Sequence, residues 1–157
     1  MEAISKAARE LSPQIVSGRL CGNVTEAATT VVNFTRKAQA GRSKLLIWGG
    51  ETTVALRGNG NGGRNQELAL RFAMQSEDLP GDWVFLAGGT DGIDGPTNAT
   101  GGLVDRNTTA RISAAKGRPT ALLDNNDSHN ALRLADDLLV TGATGTNVAD
   151  VAFFLQP

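Results

Sequence analysis

From Gly49 to Glu67 the chain packs six glycines, two carboxylates and two guanidiniums between apolar segments. No hydrophobic core needs that composition, so the rest of the fold has to be arranged around it. Lys44 to Trp48 before it reads as a buried strand, Thr52 to Leu56 as a second strand, and Gln66 to Met74 as an amphipathic helix. On this reading the glycines form a turn feeding a helix. Such a turn presents unpaired backbone N–H groups and the positive end of a helix dipole, which together suit an oxyanion or phosphate. Gly62, Gly63 and Asn65 are the candidate donors, and Arg64 adds a planar fork matched to carboxylate or phosphate. The plain alternative is a flexible hairpin loop with surface arginines, because flexibility alone also enriches glycine.

The bulk properties narrow the function classes. At 157 residues the chain suits one compact domain with a sizeable core. Fifteen Lys plus Arg against sixteen Asp plus Glu give a formal charge of −1, so no global field favours nucleic acid or an anionic membrane. Any anion must be gripped locally. The single cysteine, Cys21, excludes an internal disulfide and a cysteine-based zinc cluster, and suits a reducing cytoplasm. No apolar run approaches the roughly twenty residues of a membrane span, and Met1 to Lys6 is too polar for a signal peptide. The expectation is a cytoplasmic, soluble protein.

Apolar periodicity predicts a helix over residues 2–11, a short strand over 14–17, and a second helix from Val24 to Ala38 with Gly41 placed to end it. Trp83 to Ala87 reads as a strand covered on both faces. The loop from Gly88 to Gly102 follows it, where ligands usually sit in open α/β sheets. Helices are expected at Thr108 to Ala115 and from Asp127 or Ser128 through Leu134, with strands at Asp137 to Thr141 and Val148 to Leu155 joined by a hairpin-like turn. The predicted architecture is a three-layer α/β/α sandwich with a mixed, mostly parallel sheet.

Glu51, Asp91 and Asp94 lie in tight, glycine-flanked turns, where hard oxygen ligands suit magnesium or a substrate hydroxyl; aspartate is also an ordinary turn former, and for Asp94 the structural role is an equal reading. Asn147, with Gly142 to Thr146, offers an amide and backbone donors but no Walker A ending; a hairpin turn explains it as well. His129 is the lone histidine and reads as structural or solvated. Gly58, Gly60 and Gly63 satisfy the spacing of a dinucleotide fingerprint, but they run straight into Arg64 and Asn65 after what looks like a hairpin.

Three stretches taken together are more specific. Ile47 to Val54 with Gly62 to Leu68, then Gly89 to Pro96, then Leu139 to Val148 resemble, in the same order, the carboxy-terminal MOFRL domain of the class II glycerate 2-kinases, a family also labelled hydroxypyruvate reductases. The resemblance covers roughly residues 44–155 and would leave 1–43 as connecting helices at the end of a missing amino-terminal domain. It implies transfer of the γ-phosphoryl of ATP to the 2-hydroxyl of D-glycerate with Mg2+, in a cleft between two domains to which the missing one brings a catalytic lysine. It implies an active-site role for Arg64, and with it Glu51 and Asp91 as catalytic or metal-binding groups. Gly62, Gly63, Asn65, Thr90 and Asn147 would then bind substrate or phosphate. The chain alone would be an inactive part of a phosphotransferase, partnered by small-molecule substrates and the missing domain, with a homodimer the assembly to test. An NAD(P)H-dependent hydroxypyruvate reductase and a non-catalytic ligand-binding or assembly module are the rival readings.

Overall fold

The computed structural model describes residues 1–38 and 45–156. Gly41 and Lys44, expected as a helix stop and a strand start, lie outside that set. Helix α1 (Glu2–Ala7) and a 3-10 turn lead into β1 (Pro13–Ile15) and β2 (Leu20–Asn23), followed by α2 (Val24–Ala38), β3 (Leu45–Thr53) and α3 (Arg64–Gln75). Then come β4 (Val84–Gly89), β5 (Gly101–Asp105), α4 (Thr108–Ala114), α5 (Pro119–Asp124), α6 (Ser128–Ala135), β6 (Leu138–Leu139) and β7 (Asp150–Leu155).

All seven strands form one mixed sheet in the order β1-β3-β7-β4-β5-β6, with β2 also pairing β3. Helices lie on both sides of it, as expected, but the balance of strand directions is not the expected one. Only β1 and β2 run parallel to β3, whereas β3–β7, β7–β4, β4–β5 and β5–β6 are antiparallel. The hairpin expected at the end of the chain is also absent. β6 pairs with β5 at one edge, while β7 inserts between β3 and β4. Residues 13–38, expected as a connection, contribute two strands and a helix to the same sheet and core.

The helix-facing side of the sheet is built in rows. Leu46, Phe154, Phe85 and Val104 stand opposite one another across four strands, and Trp48, Ala152, Ala87 and Gly102 form the next row. The first row is large and fully apolar, and Phe72 of α3 stacks on Phe85 at 4.0 Å. The second tapers from Trp48 to Gly102, where a Cβ would collide with Leu132 and Ala69, so the small residues let α3 and α6 approach. A third row of the same parity is Gly50, Asp150 and Gly89, a carboxylate where the pattern demands an apolar side chain. On the opposite side α1 is the helix, with Met1 against Gly49, and Val84 and Leu103 remain exposed.

The opening glycines do not turn the chain. β3 passes unbroken through Gly49 and Gly50, so the predicted pair of strands is one nine-residue strand. Gly50 is needed because β2 crosses closely there: a Cβ would sit 1.9 Å from the Leu20 carbonyl oxygen.

Candidate active site

Glycines 58, 60 and 62 serve packing. A Cβ on Gly58 or Gly60 would strike the backbone at Asn125, and one on Gly62 would strike the Ser128 hydroxyl. Alternate positions of an extended segment thus press against the α5–α6 junction, which explains the period-two spacing and removes the basis for the dinucleotide reading. Asn126 clasps this segment. Its side-chain oxygen accepts the N–H groups of Arg57 and Gly58, at 2.6 and 3.0 Å, and its amide donates to the Ala55 carbonyl and the Glu67 carboxylate. Asn125 and Asp127 add further bonds to Asn59, Gly60 and Asn61. The clasped segment delivers the chain to the start of α3.

That helix start already holds an anion, and it is Asp94. Its fully buried carboxylate accepts the N–H of Asn65 at 3.0 Å and of Gln66 at 2.8 Å, together with both side-chain amides. The structural reading of Asp94 is therefore the right one, and Asn65, expected as a free donor, is committed to it. Gly63 lacks a side chain because a Cβ would overlap the same carboxylate. Gln66 also donates to Thr97, so its side-chain oxygen is the acceptor toward His129 at 2.9 Å, which places the imidazole proton on Nδ1. His129 is structural.

Arg64 leaves this knot and points toward the sheet. Its Nε donates to Asp150 Oδ2 at 2.6 Å and one terminal nitrogen, NH2, donates to Asp150 Oδ1 at 2.9 Å; the same nitrogen lies 3.4 Å from Glu51. Among the described residues NH1 has no protein acceptor. The Arg64 side chain is 33% exposed and that of Asp150 10%. The hydrogen bonds that Arg64 donates to Asp150 raise the guanidinium pKa, burial works against them, and the charges of Asp150, Glu51 and Asp94 add to the rise. Arg64 is cationic throughout the range in which the fold exists.

Arg64 and Glu51 line an open cavity of about 720 Å³, with Gly62, Gly63, Glu67, Val54, Leu56 and Pro96. The predicted Arg64, Glu51, Gly62 and Gly63 are therefore brought together. Asp91, Thr90 and Asn147 form a neighbouring loop cluster. Asp91 caps its own turn by accepting the Ile93 N–H. The Thr90 hydroxyl donates to Ala149 and accepts from Val148, and Asn147 folds back toward the Ala149 N–H. Gly89 joins the two groups, since its missing side chain leaves Asp91 Oδ1 and Asp150 Oδ1 close to the same point. Among the described residues no group of three His, Cys, Asp or Glu side chains is placed to hold a metal. Cys21 is exposed on β2, in register with Glu51 of β3.

Asp150 and Asn126 are the residues that sequence reasoning missed. For Asp150 a signal existed: it is a lone carboxylate opening the apolar run Val151 to Leu155, on the parity that faces the core. Asn126 carried none that set it apart from Asn125 or Asp127.

A mixed sheet backed by helices, with a glycine-rich connection delivering an arginine to the lining of an open cavity, defines a three-layer α/β domain. The particular family follows from comparison: residues 44–150 match the MOFRL family, and the chain belongs to it. It is 53% identical over 106 residues to D-glycerate 2-kinase of Thermotoga maritima, covering 68% of this chain and 25% of that protein. It is 48% identical over 119 residues to human glycerate kinase, covering 71% and 23%. A putative hydroxypyruvate reductase of Agrobacterium vitis is 35% identical over 156 residues, covering 95% and 40%. The crystal structure of the Thermotoga maritima glycerate kinase superposes with a TM-score of 0.89 at 39% identity, over 99% of this chain and 38% of that one. A Pyrococcus horikoshii protein gives 0.87 at 35% identity, over 98% and 37%. The chain thus spans between about a quarter and two fifths of the proteins it matches. Among the described residues no helix is long and apolar enough to cross a membrane.

Proposed function

We propose that this chain is the carboxy-terminal part of a glycerate 2-kinase and forms one wall of the cleft in which ATP phosphorylates D-glycerate to 2-phosphoglycerate. The observation that carries the reading is Arg64, which lines the cavity with its fork pinned on one edge and, among the described residues, no protein acceptor for its NH1. Phosphoryl transfer asks a protein for positioning and for positive charge near oxygens that become more negative. Arg64 answers both requirements for a carboxylate or phosphoryl oxygen.

The local charge balance says what else is needed. One guanidinium faces Asp150 and Glu51, so this wall is net negative by itself and holds a free anion weakly. The remaining positive charge has to come with the nucleotide and from the rest of the enzyme. Magnesium carried with ATP would supply such charge, and Glu51 and Asp91, beside Arg64 and Gly89, are the carboxylates of this chain that would meet it. Glu51, exposed and 3.4 Å from the arginine, is also placed to accept a proton from a substrate hydroxyl. A cytoplasmic location belongs to the same reading.

The family label of hydroxypyruvate reductase keeps a second activity in view, but the glycine spacing that favoured a dinucleotide is used in packing against Asn125 and Ser128. Calorimetric titration of the chain with Mg-ATP, D-glycerate and NADH separates the two. Mg-ATP is expected to bind, NADH not to bind, and the isolated polypeptide to form no ADP with D-glycerate. NADH binding without Mg-ATP binding, accompanied by hydroxypyruvate-dependent loss of NADH absorbance, replaces the kinase reading with the reductase.

A further inference from the structure

We infer that Asp150 is a positioning residue: it locks the guanidinium of Arg64 by its Nε and NH2 edge and so fixes the direction in which the remaining N–H groups, those of NH1 foremost, are offered to a ligand. The inference rests on the reading of Arg64 as the group that touches the substrate anion, and adds to it the device that aims the group. Three observations converge. The contact is a two-pronged fork of 2.6 and 2.9 Å, the geometry in which both partners lose rotational freedom. The aspartate is itself fixed, because it is held in the ladder between β3 and β4 opposite Gly50 and Gly89, with its residue surface 8% exposed. The row is also the one place on the helix-facing side where a carboxylate replaces the apolar residue that the strand pattern calls for. A buried carboxylate costs stability unless it is paired, so its only described side-chain partner, Arg64, defines its role.

A positioning role and a purely electrostatic one predict opposite changes. Asp150 neutralises Arg64, so if charge alone mattered, Asp150→Asn would strengthen the binding of an anion. If aim matters more, the same change frees the guanidinium to rotate and weakens it. Arg64→Lys is the second probe, since it keeps the charge and removes the fork.

The test uses the 157-residue chain and 2-phosphoglycerate, with NMR chemical-shift titration as the affinity readout and hydrogen exchange of the Arg64 Nε–H as the signature of the lock. In the unaltered chain that proton should exchange slowly. In Asp150→Asn it should exchange at least about tenfold faster, and the affinity should fall about tenfold, the size expected for loss of a charge-assisted hydrogen bond. Arg64→Lys should weaken binding to the same degree, and the double variant should be no weaker than either single one. Unchanged or tighter binding by Asp150→Asn overturns the inference, as does unchanged Nε–H exchange. Should Asp150→Asn fail to fold, Arg64→Lys decides, and full affinity in that variant overturns it. If Arg64→Ala also leaves binding unchanged, the underlying reading of Arg64 fails; if only Asp150→Asn leaves it unchanged, the reading stands and the positioning role falls.

Discussion

Two arginine–aspartate ion pairs among the described residues are alike in exposure and distance and do different things. Arg64 meets Asp150 and Arg111 meets Asp137; the arginines are 33% and 34% exposed, the aspartates 10% and 8%. Arg111 uses every donor it has. Its Nε bonds the Ala135 carbonyl, NH1 takes Asp105, and NH2 takes Asp137 with Thr108, tying α4 to β5 and to the end of α6. Arg64 hydrogen-bonds through two nitrogens, and among the described residues its third has no protein acceptor. Exposure and ion-pair distance do not separate a functional arginine from a structural one here; the donor left over does.

Arg111→Ala should break this comparison on the stability side and gives the largest expected effect. It leaves the buried Asp137 carboxylate with only Thr108, so the unfolding free energy in urea should fall by about 3 kcal/mol, with 2-phosphoglycerate binding unchanged. A loss well under 1 kcal/mol would make the network ornamental. Arg64→Ala should act on both properties. Affinity for 2-phosphoglycerate should drop about a hundredfold, and unfolding, measured the same way, should become easier by about as much as in Arg111→Ala, because Asp150, as a whole residue no more exposed than Asp137, loses its described side-chain partner.

The backbone route to Arg64 gives a third test. Gly60→Ala places a Cβ 2.5 Å from the Asn125 carbonyl oxygen, a backbone atom that cannot step aside. The clasp should loosen, at a cost of about 2 kcal/mol in urea unfolding, and should weaken anion binding in parallel. A variant that unfolds more easily yet binds normally would show that Arg64 is held by Asp150 alone.

The smallest effect concerns pH. Burial pushes the Asp137 carboxyl up from its ordinary 3.8, more strongly than Thr108 and Arg111 hold it down. The folded state therefore binds that proton more tightly than the unfolded chain does. Its contribution to stability is fully present below the ordinary value and is lost as pH rises through the raised one. Asp137→Asn lacks the titration, so its penalty relative to the parent should grow as pH falls through that window. Urea melts of both proteins at neutral and acidic pH check the sign.

How much of this was legible beforehand depended on what each residue type can signal. α2 was found where it starts because Val24, Ala27, Ala28 and Val31 repeat on one face and are buried there. The length of β3 was misjudged because Gly49 and Gly50 look like a turn when the crossing backbone of Leu20 is not in view. β5 was read as loop because its first two residues are glycines, small for the sake of Ala87, Leu132 and Ala69. The sheet directions were misjudged because they depend on where β7 inserts, which is a pairing between distant parts of the chain. At the site, Arg64 and Glu51 stood out as charges among glycines. Asp150 acquires its partner only across a sequence separation of 86, so the local pattern that marks the carboxylate as out of place could not name Arg64 as the group it meets.

The placement of β7 has a consequence for assembly. Without β7 the sheet divides into β1-β2-β3 and β4-β5-β6, each with an edge that β7 fills. The strand that joins them is also the one that brings Asp150 to Arg64. Closure of the sheet and formation of the ion pair therefore depend on the same six residues, in whatever order the rest of the chain is made.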